Sequence, residues 1–292
     1  MESLAQKGFI LCMKYQSQLL NEYHKMYLWN NHSLLKMPAH QISDLAQGKG
    51  VFETILVTEN ANPILWDRHI LRLGKGAQFL GTQLTIDFNE LLKALVKHIQ
   101  ENNKDSCLRL NLIFLPHKNE LIVRFFPFQW PENPVRLYVS SQYYRGNSPH
   151  YQYKTLSRIE NSYFHSIAQE NNCDDFLMLD YHANILETCL ANIFFVRDDG
   201  QIDTPLAHNK PLLNGVLRQY LLDSQKDFHI SCAEKNIPLN AIEKYAQAFI
   251  TNGLRLIQPV SHIGNWHFSQ TDMGWSLRDM VLSKENWEYS KK

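Results

Sequence analysis

The sequence predicts a mixed α+β chain of two domains. Three observations carry that reading: strand-type runs, amphipathic helical runs between them, and a proline-rich break near the middle. Runs of β-branched and aromatic residues at 51–58 (VFETILVT), 107–115 (CLRLNLIFL), 121–126 (LIVRFF) and 135–140 (VRLYVS) give the strand signal. Ile70, Leu73, Ala77 and Leu80 fall on one face of a helix. Asp87 followed by Glu90 reads as a capping box that opens a second helix through Leu91, Leu95 and Ile99. The segment 127–134, PFQWPENP, holds three prolines and cannot continue regular structure. It places an N-terminal α+β domain over 1–128, a linker over 129–134 and a C-terminal domain over 135–292, with the first twenty or so residues either an extension of the fold or an overlong start.

Beyond the break, Ser157 and Glu160 repeat the capping-box pattern, so a helix is expected just after Lys154. Short strands are expected at 175–180 and 192–197, with Asp198, Asp199 and Gly200 turning a hairpin, and another helix from about Asn214. No internal repeat and no low-complexity segment is evident.

At 292 residues the chain can bury a sizeable core, and its 44% hydrophobic and 20% charged residues are globular values. Lysine plus arginine balance aspartate plus glutamate at 29 each, so the sequence offers no electrostatic footprint for nucleic acid or an anionic membrane. The five cysteines, Cys12, Cys107, Cys173, Cys189 and Cys232, are odd in number and widely spaced, with no pair at metal-ligand spacing. They read as reduced thiols of a cytoplasmic protein without a metal site. Gly8 to Met13 is apolar but short and lacks a basic leader, which fails the signal-peptide pattern, and no stretch reaches the ~20 apolar residues of a spanning helix.

Two residues stand out chemically. Lys154, in YQYKTLSRIEN at 151–161, sits at the end of an extended run and before a helix. Most lysines are solvated surface charges. A buried one loses its proton more easily, and its amine can then form a Schiff base with an aldehyde. Glu187 lies in the apolar stretch Ile185 to Val196. It reads either as an edge-strand glutamate facing water or as a buried carboxylate with a partner, such as a protonated pyridine nitrogen.

Six blocks occur in order: FET at 52–54, HILRL at 69–73, YKTLSRIEN at 153–161, LETCLANIFFV at 186–196, LLNGVLRQ at 212–219 and TNGLRLIQPV at 251–260. Together they are similar to the fold-type IV family of pyridoxal-phosphate enzymes, the class IV aminotransferases, over about residues 27 to 265. The resemblance implies a D-amino acid aminotransferase-like fold, with an N-terminal α/β sandwich and a C-terminal mixed β-barrel-like domain with flanking helices. It implies pyridoxal 5'-phosphate as cofactor, Lys154 as its Schiff-base lysine and Glu187 as partner of the pyridine nitrogen. By the same resemblance Arg72 binds the phosphate, the backbone N–H groups of Val216 and Leu217 hold it at a helix N-terminus, and Asn252 and Gly253 form a second phosphate-contacting turn. Leu213 matches the leucine that packs on the cofactor ring. The bland readings beside these are an exposed helix arginine for Arg72, core for Leu213, a helix cap for Asn214 and an ordinary loop for Asn252 and Gly253.

Within the family, the blocks resemble the aminodeoxychorismate lyases more than the branched-chain or D-amino acid aminotransferases. Thr54 matches the lyase threonine that assists proton transfer, and Leu217 stands where many transaminases carry a threonine. The resemblance implies that the amine of 4-amino-4-deoxychorismate displaces Lys154 from the cofactor. Lys154 then removes the C4 proton, and loss of the enolpyruvyl group yields pyruvate and 4-aminobenzoate for folate synthesis. Asp44 and Gly50 only partly match the elements that precede FET. The substrate-carboxylate arginine has no recognisable motif, which leaves Arg109 and Arg124 as candidates. The alternatives are a class IV aminotransferase passing an amino group to a 2-keto acid, and a catalytically silent cofactor-binding homologue. Family members are usually homodimers whose partner closes the substrate pocket, and the same is expected here.

Overall fold

The computed structural model describes residues 26–29, 32–36, 48–102, 106–116 and 120–284. Asp44, Cys12, the apolar 8–13 segment and the expected N-terminal extension lie outside them.

The first sheet joins β1 (Met26–Trp29), β2 (Leu34–Lys36), β3 (Val51–Val57), β4 (Leu108–Leu115) and β5 (Glu120–Pro127) in the order β2-β1-β5-β4-β3. All its pairs are antiparallel. Strand side chains alternate between faces, so β3, β4 and β5 each split into two sets. Val51, Ile55, Leu110, Leu112, Val123 and Phe125 form one buried face. It packs against Leu73 and Ala77 of α1 (Trp66–Phe79) and Leu91, Leu95 and Ile99 of α2 (Phe88–Asn102). On the other face the register lines up Thr54, Asn111 and Arg124 in one cross-strand row, and Leu56, Arg109 and Phe126 in the next. That polar second face is the wall of a cavity.

Helix starts follow the sequence unevenly. Asp87 caps α2 as expected, its Oδ1 accepting from the amides of Asn89 and Glu90 at 3.0 and 3.1 Å. Glu90 turns outward to Lys93 instead of closing the box. The second expected box does not form: α3 (Ile159–Glu170) starts after Arg158 with no side-chain cap. Ser157 donates to the Gly48 carbonyl, and Glu160 accepts from Arg145 and Tyr151. A buried guanidinium needs a carboxylate more than a helix end, open to water, needs a cap.

The second sheet takes β6 (Val135–Tyr138), β7 (Asp175–Leu179), β8 (Ile185–Thr188), β9 (Asn192–Val196), β10 (Ile202–Pro205), β11 (Cys232–Lys235), β12 (Gln247–Asn252) and β13 (Leu256–Ile263) in the order β11-β10-β9-β12-β13-β6-β7-β8. The short β14 (Trp266–His267) pairs with β13. It is mixed: β6 runs parallel to β13 and β7, and β10 to β11. The sheet curls, so that β8 at one end of the order returns beside β9. The hairpin at Asp198–Gly200 forms as expected, with Gly200 at φ 80° and Arg197 bonded to Gln201 across it. α4 (Val216–Asp223) and α5 (Asp272–Lys284) cover one face through Leu217, Leu221, Leu277 and Val281, which pack on Phe194 and Phe249.

Strand β3 joins the two sheets. At its start the Phe52 amide donates to the Lys154 carbonyl (2.9 Å) and Val51 bridges Thr155; near its end the Leu56 amide donates to the Gly253 carbonyl (3.1 Å). The lysine segment and the turn after β12 are therefore both docked on one strand. Among the described residues no helix is long and apolar enough to cross a membrane, and Cys107, Cys173, Cys189 and Cys232 are free thiols.

Candidate active site

A cavity of ≈ 590 Å³ opens between the two sheets. Thr54, Arg72, Arg109, Arg124, Lys154, Glu187, Leu213, Val216, Asn252 and Gly253 all line it. Of the residues that the resemblance assigns to cofactor or substrate, Leu217 alone is not on the lining. Its side chain is fully buried against the core, while its amide lies in the first turn of α4.

Lys154 is held by backbone pairing with β3, and its Nζ lies 4.4 Å from the Phe52 ring centroid. The surface it keeps lines the cavity. Its pKa falls to about 7, chiefly through desolvation, then through the nearby guanidinium groups of Arg158 and Arg72. A lysine amine neutral near pH 7 is a nucleophile and a base.

Glu187 is 6% exposed, which removes the edge-strand reading. Its Oε1 accepts from Arg145 Nη1 at 2.5 Å, and its Oε2 from the Leu213 amide at 3.1 Å and Asn192 Nδ2 at 3.3 Å. Burial pushes the carboxyl pKa up, while Arg145, Arg158 and the Leu213 amide work against the rise. Arg145 is 1% exposed and also donates to Glu160 (3.0 Å) and the Pro211 carbonyl (3.1 Å), beneath the Tyr151 ring. Nothing local to YYRGN marks Arg145, because its partners Glu187 and Pro211 lie 42 and 66 residues away.

At another part of the cavity, Arg72 is gripped from behind. Its Nε and Nη2 donate to the two oxygens of Glu53 at 2.8 and 2.6 Å, and His69 Nδ1 lies 2.7 Å from Glu53 Oε2. Burial alone would raise the Glu53 pKa; Arg72 and His69 outweigh it and hold it at about 2. Nearby, α4 begins at Val216 with no side-chain cap, so its first amides are open to an anion. Gly215 lets the chain pass Asn192, whose Oδ1 would lie 2.2 Å from a Cβ there. Gly253 likewise leaves room for the His69 ring, 2.6 Å from where a Cβ would stand. Thr251, on the cavity lining beside Asn252, has a buried Oγ1 with no partner among the described residues. Thr251 heads the TNG block, so the sequence held the signal for it.

The wall from the first sheet is cationic. Arg109 and Arg124 lie over the Phe126 ring at 4.0 and 4.7 Å from its centroid. Asn111 Nδ2 donates to Thr54 Oγ1 at 2.9 Å. Arg158, fourth after Lys154, lines the cavity as well and donates to the Cys189 carbonyl at 2.8 Å.

These residues suit an aldehyde-bearing pyridine ring with a phosphate. Lys154 supplies a neutral amine, Glu187 a buried carboxylate, and Arg72, the α4 amides and the orphaned Thr251 hydroxyl supply donors.

Comparison with known proteins agrees. The family described as amino-transferase class IV matches residues 50–263. A Rickettsia felis protein named "Probable branched-chain-amino-acid aminotransferase" is 28% identical over 217 residues, 67% of this chain and 71% of that protein. The aminodeoxychorismate lyase of Bacillus subtilis is 24% identical over 82% of this chain and 86% of its own length. A Legionella pneumophila structure described as a candidate 4-amino-4-deoxychorismate lyase superposes with a TM-score of 0.72 at 26% identity, over 83% of this chain and 92% of that one. The family match spans most of the chain and contains both the amine at 154 and the carboxylate at 187, so this protein belongs to the class IV aminotransferases, the fold-type IV enzymes that work with pyridoxal phosphate.

Proposed function

We propose that the chain is a 4-amino-4-deoxychorismate lyase, releasing pyruvate and forming 4-aminobenzoate. The observation that carries this is the wall facing Lys154, where Arg109 and Arg124 accompany the Thr54–Asn111 pair. That substrate bears two carboxylates, which two guanidinium groups suit, whereas a branched aliphatic side chain would call for an apolar lining.

Bound in the cavity, pyridoxal phosphate supplies an aldehyde that condenses with amines and a ring that draws off electrons from the neighbouring carbon. The protein residues do the rest. Glu187, kept in place by Arg145 and Asn192, would hold the ring nitrogen and favour its protonated form. Arg72, the first-turn amides of Val216 and Leu217, and the turn at Asn252 and Gly253 would hold the phosphate, and Leu213 would pack on the ring. Arg109 and Arg124 orient the substrate carboxylates. Lys154 would be the base that takes the substrate's C4 proton. The C3–O bond then breaks and the enolpyruvyl oxygen leaves with the bond pair. The protonated Lys154 and the Thr54 hydroxyl return a proton to the departing enolpyruvate, which becomes pyruvate as the ring turns aromatic. On the same reading the chain works as a homodimer, which light scattering of the holoenzyme tests.

A second reading, amino transfer to a 2-keto acid, is favoured by the name of the Rickettsia felis relative. Holoenzyme incubated with aminodeoxychorismate is expected to release pyruvate and 4-aminobenzoate in equal amounts. Exchange between amino and keto acids with no pyruvate would replace the lyase reading with the transaminase one. Borohydride is expected to fix the cofactor on Lys154, and Lys154→Ala to abolish the adduct; no adduct on the wild-type chain would point to a silent homologue.

A further inference from the structure

We propose that Glu53 and His69 are positioning residues for Arg72: a buried relay that fixes which guanidinium N–H groups face the cavity and so sets the selectivity of the site for a phosphorylated cofactor. This rests on the reading that Arg72 meets the phosphate. Glu53 belongs to the face of β3 that packs against the helices, opposite to Thr54, and is 0% exposed. A carboxylate there is costly unless every lone pair has work. His69 and Arg72, three residues apart on one face of α1, both reach it.

The geometry leaves little freedom. A guanidinium carries five N–H donors in a rigid plane. Two of them, on Nε and Nη2, are spent on the two oxygens of Glu53, so the plane and the heading of the rest are set from behind. Glu53 Oε2 takes a second donor from His69 Nδ1. An ionised carboxylate only accepts, so Nδ1 carries the hydrogen. Burial lowers the His69 pKa, which favours the neutral ring. Its Nε2 is then a bare lone pair, with no partner among the described residues. That edge of the ring lies against Gly253, where an added Cβ would stand 2.9 Å from Nε2. One buried pair thus backs two cavity-lining positions, Arg72 on α1 and Gly253 in the turn after β12. A purely structural ion pair would have no reason to end in a guanidinium that lines the cavity.

The test compares the binding of pyridoxal phosphate and of pyridoxal, which lacks the phosphate, to the apoprotein by absorbance titration. Glu53→Gln is expected to weaken pyridoxal phosphate by about tenfold or more while pyridoxal changes by less than about twofold. Equal losses for both, or no loss for either, overturn the proposal, since a merely structural pair would not separate the two ligands. His69→Leu is expected to lower the same selectivity ratio and His69→Asn, which keeps an N–H near the Nδ1 position, to restore it; this pair decides the matter if Glu53→Gln does not fold. Arg72→Met separates the two layers. If it collapses the ratio and Glu53→Gln and His69→Leu do not, the relay is wrong and the Arg72 reading stands. If Arg72→Met leaves the ratio unchanged, the reading of Arg72 itself fails, and the relay with it.

Discussion

Asn111 fixes the hydroxyl of Thr54. Its Nδ2 lies 3.1 Å from the Glu53 carbonyl and 2.9 Å from Thr54 Oγ1. A carbonyl can only accept, so the atom facing both must be the amide nitrogen and not its oxygen. Thr54 Oγ1 therefore accepts, which leaves its own hydrogen free to donate into the cavity that Thr54 lines. The cross-strand register that pairs Thr54 with Asn111 thus aims a proton donor.

Asn111→Leu is expected to lower kcat about tenfold with little change in KM, the worth of one lost hydrogen bond in the reacting state. Added to Thr54→Val it should cost nothing further, because its effect passes through that hydroxyl. A full second loss in the double variant would show that Asn111 acts on its own.

Lys154 gives a pH dependence with a definite sign. Its folded pKa of about 7 lies below the ordinary 10.5, so between those values the unfolded apoprotein binds more protons than the folded one. The burden on the fold is then full below pH 7 and eases as pH climbs toward 10.5. Lys154→Met in the apoprotein should raise Tm at pH 6.5, with a gain that shrinks to nothing near pH 10.5. A gain that does not vary with pH would mean the amine is not desolvated.

The amine, the carboxylate and the turns around them were legible through the six blocks taken together, since each lies in a contiguous run of sequence. That Thr54, Asn111 and Arg124 stand in one row was not legible, because it depends on register between strands. Arg145, Glu53 and His69 were invisible as functional residues for a common reason. Their roles are set by partners far along the chain, or by which face of an element they occupy. The Ser157–Glu160 pattern misled in the same way: Glu160 is drawn to the buried Arg145, and a long-range charge outweighs a local cap.

Arg145 should accordingly carry more stability than any surface arginine. Arg145→Met strands the buried Glu187 without its cation and removes a donor from Glu160 and from the Pro211 carbonyl. The expected cost is about 3–5 kcal/mol. Arg145→Met with Glu187→Leu should be less damaged than the single variant, since no carboxylate is then left stranded in the site. Urea melts of the apoproteins measure both; a loss of less than ~1 kcal/mol for Arg145→Met would mean the pair is solvated.

Gly215 tests whether the carboxylate end and the helix end of the cavity are one construction. Its φ of −65° suits any residue, so only space demands a glycine there. A Cβ would lie 2.2 Å from Asn192 Oδ1. Asn192 is the tie between the two ends: Oδ1 accepts from the Gly215 amide at 3.1 Å, and Nδ2 donates to the Leu213 carbonyl at 2.7 Å and to Glu187 at 3.3 Å. Gly215→Ala must displace that side chain and break the ties together, at a cost of roughly 1–3 kcal/mol and with weaker cofactor retention. Asn192→Ala removes the obstacle, so adding Gly215→Ala to it should cost almost nothing further. If the two losses simply add, the methyl group is harming something other than Asn192, and the two ends of the site are independent.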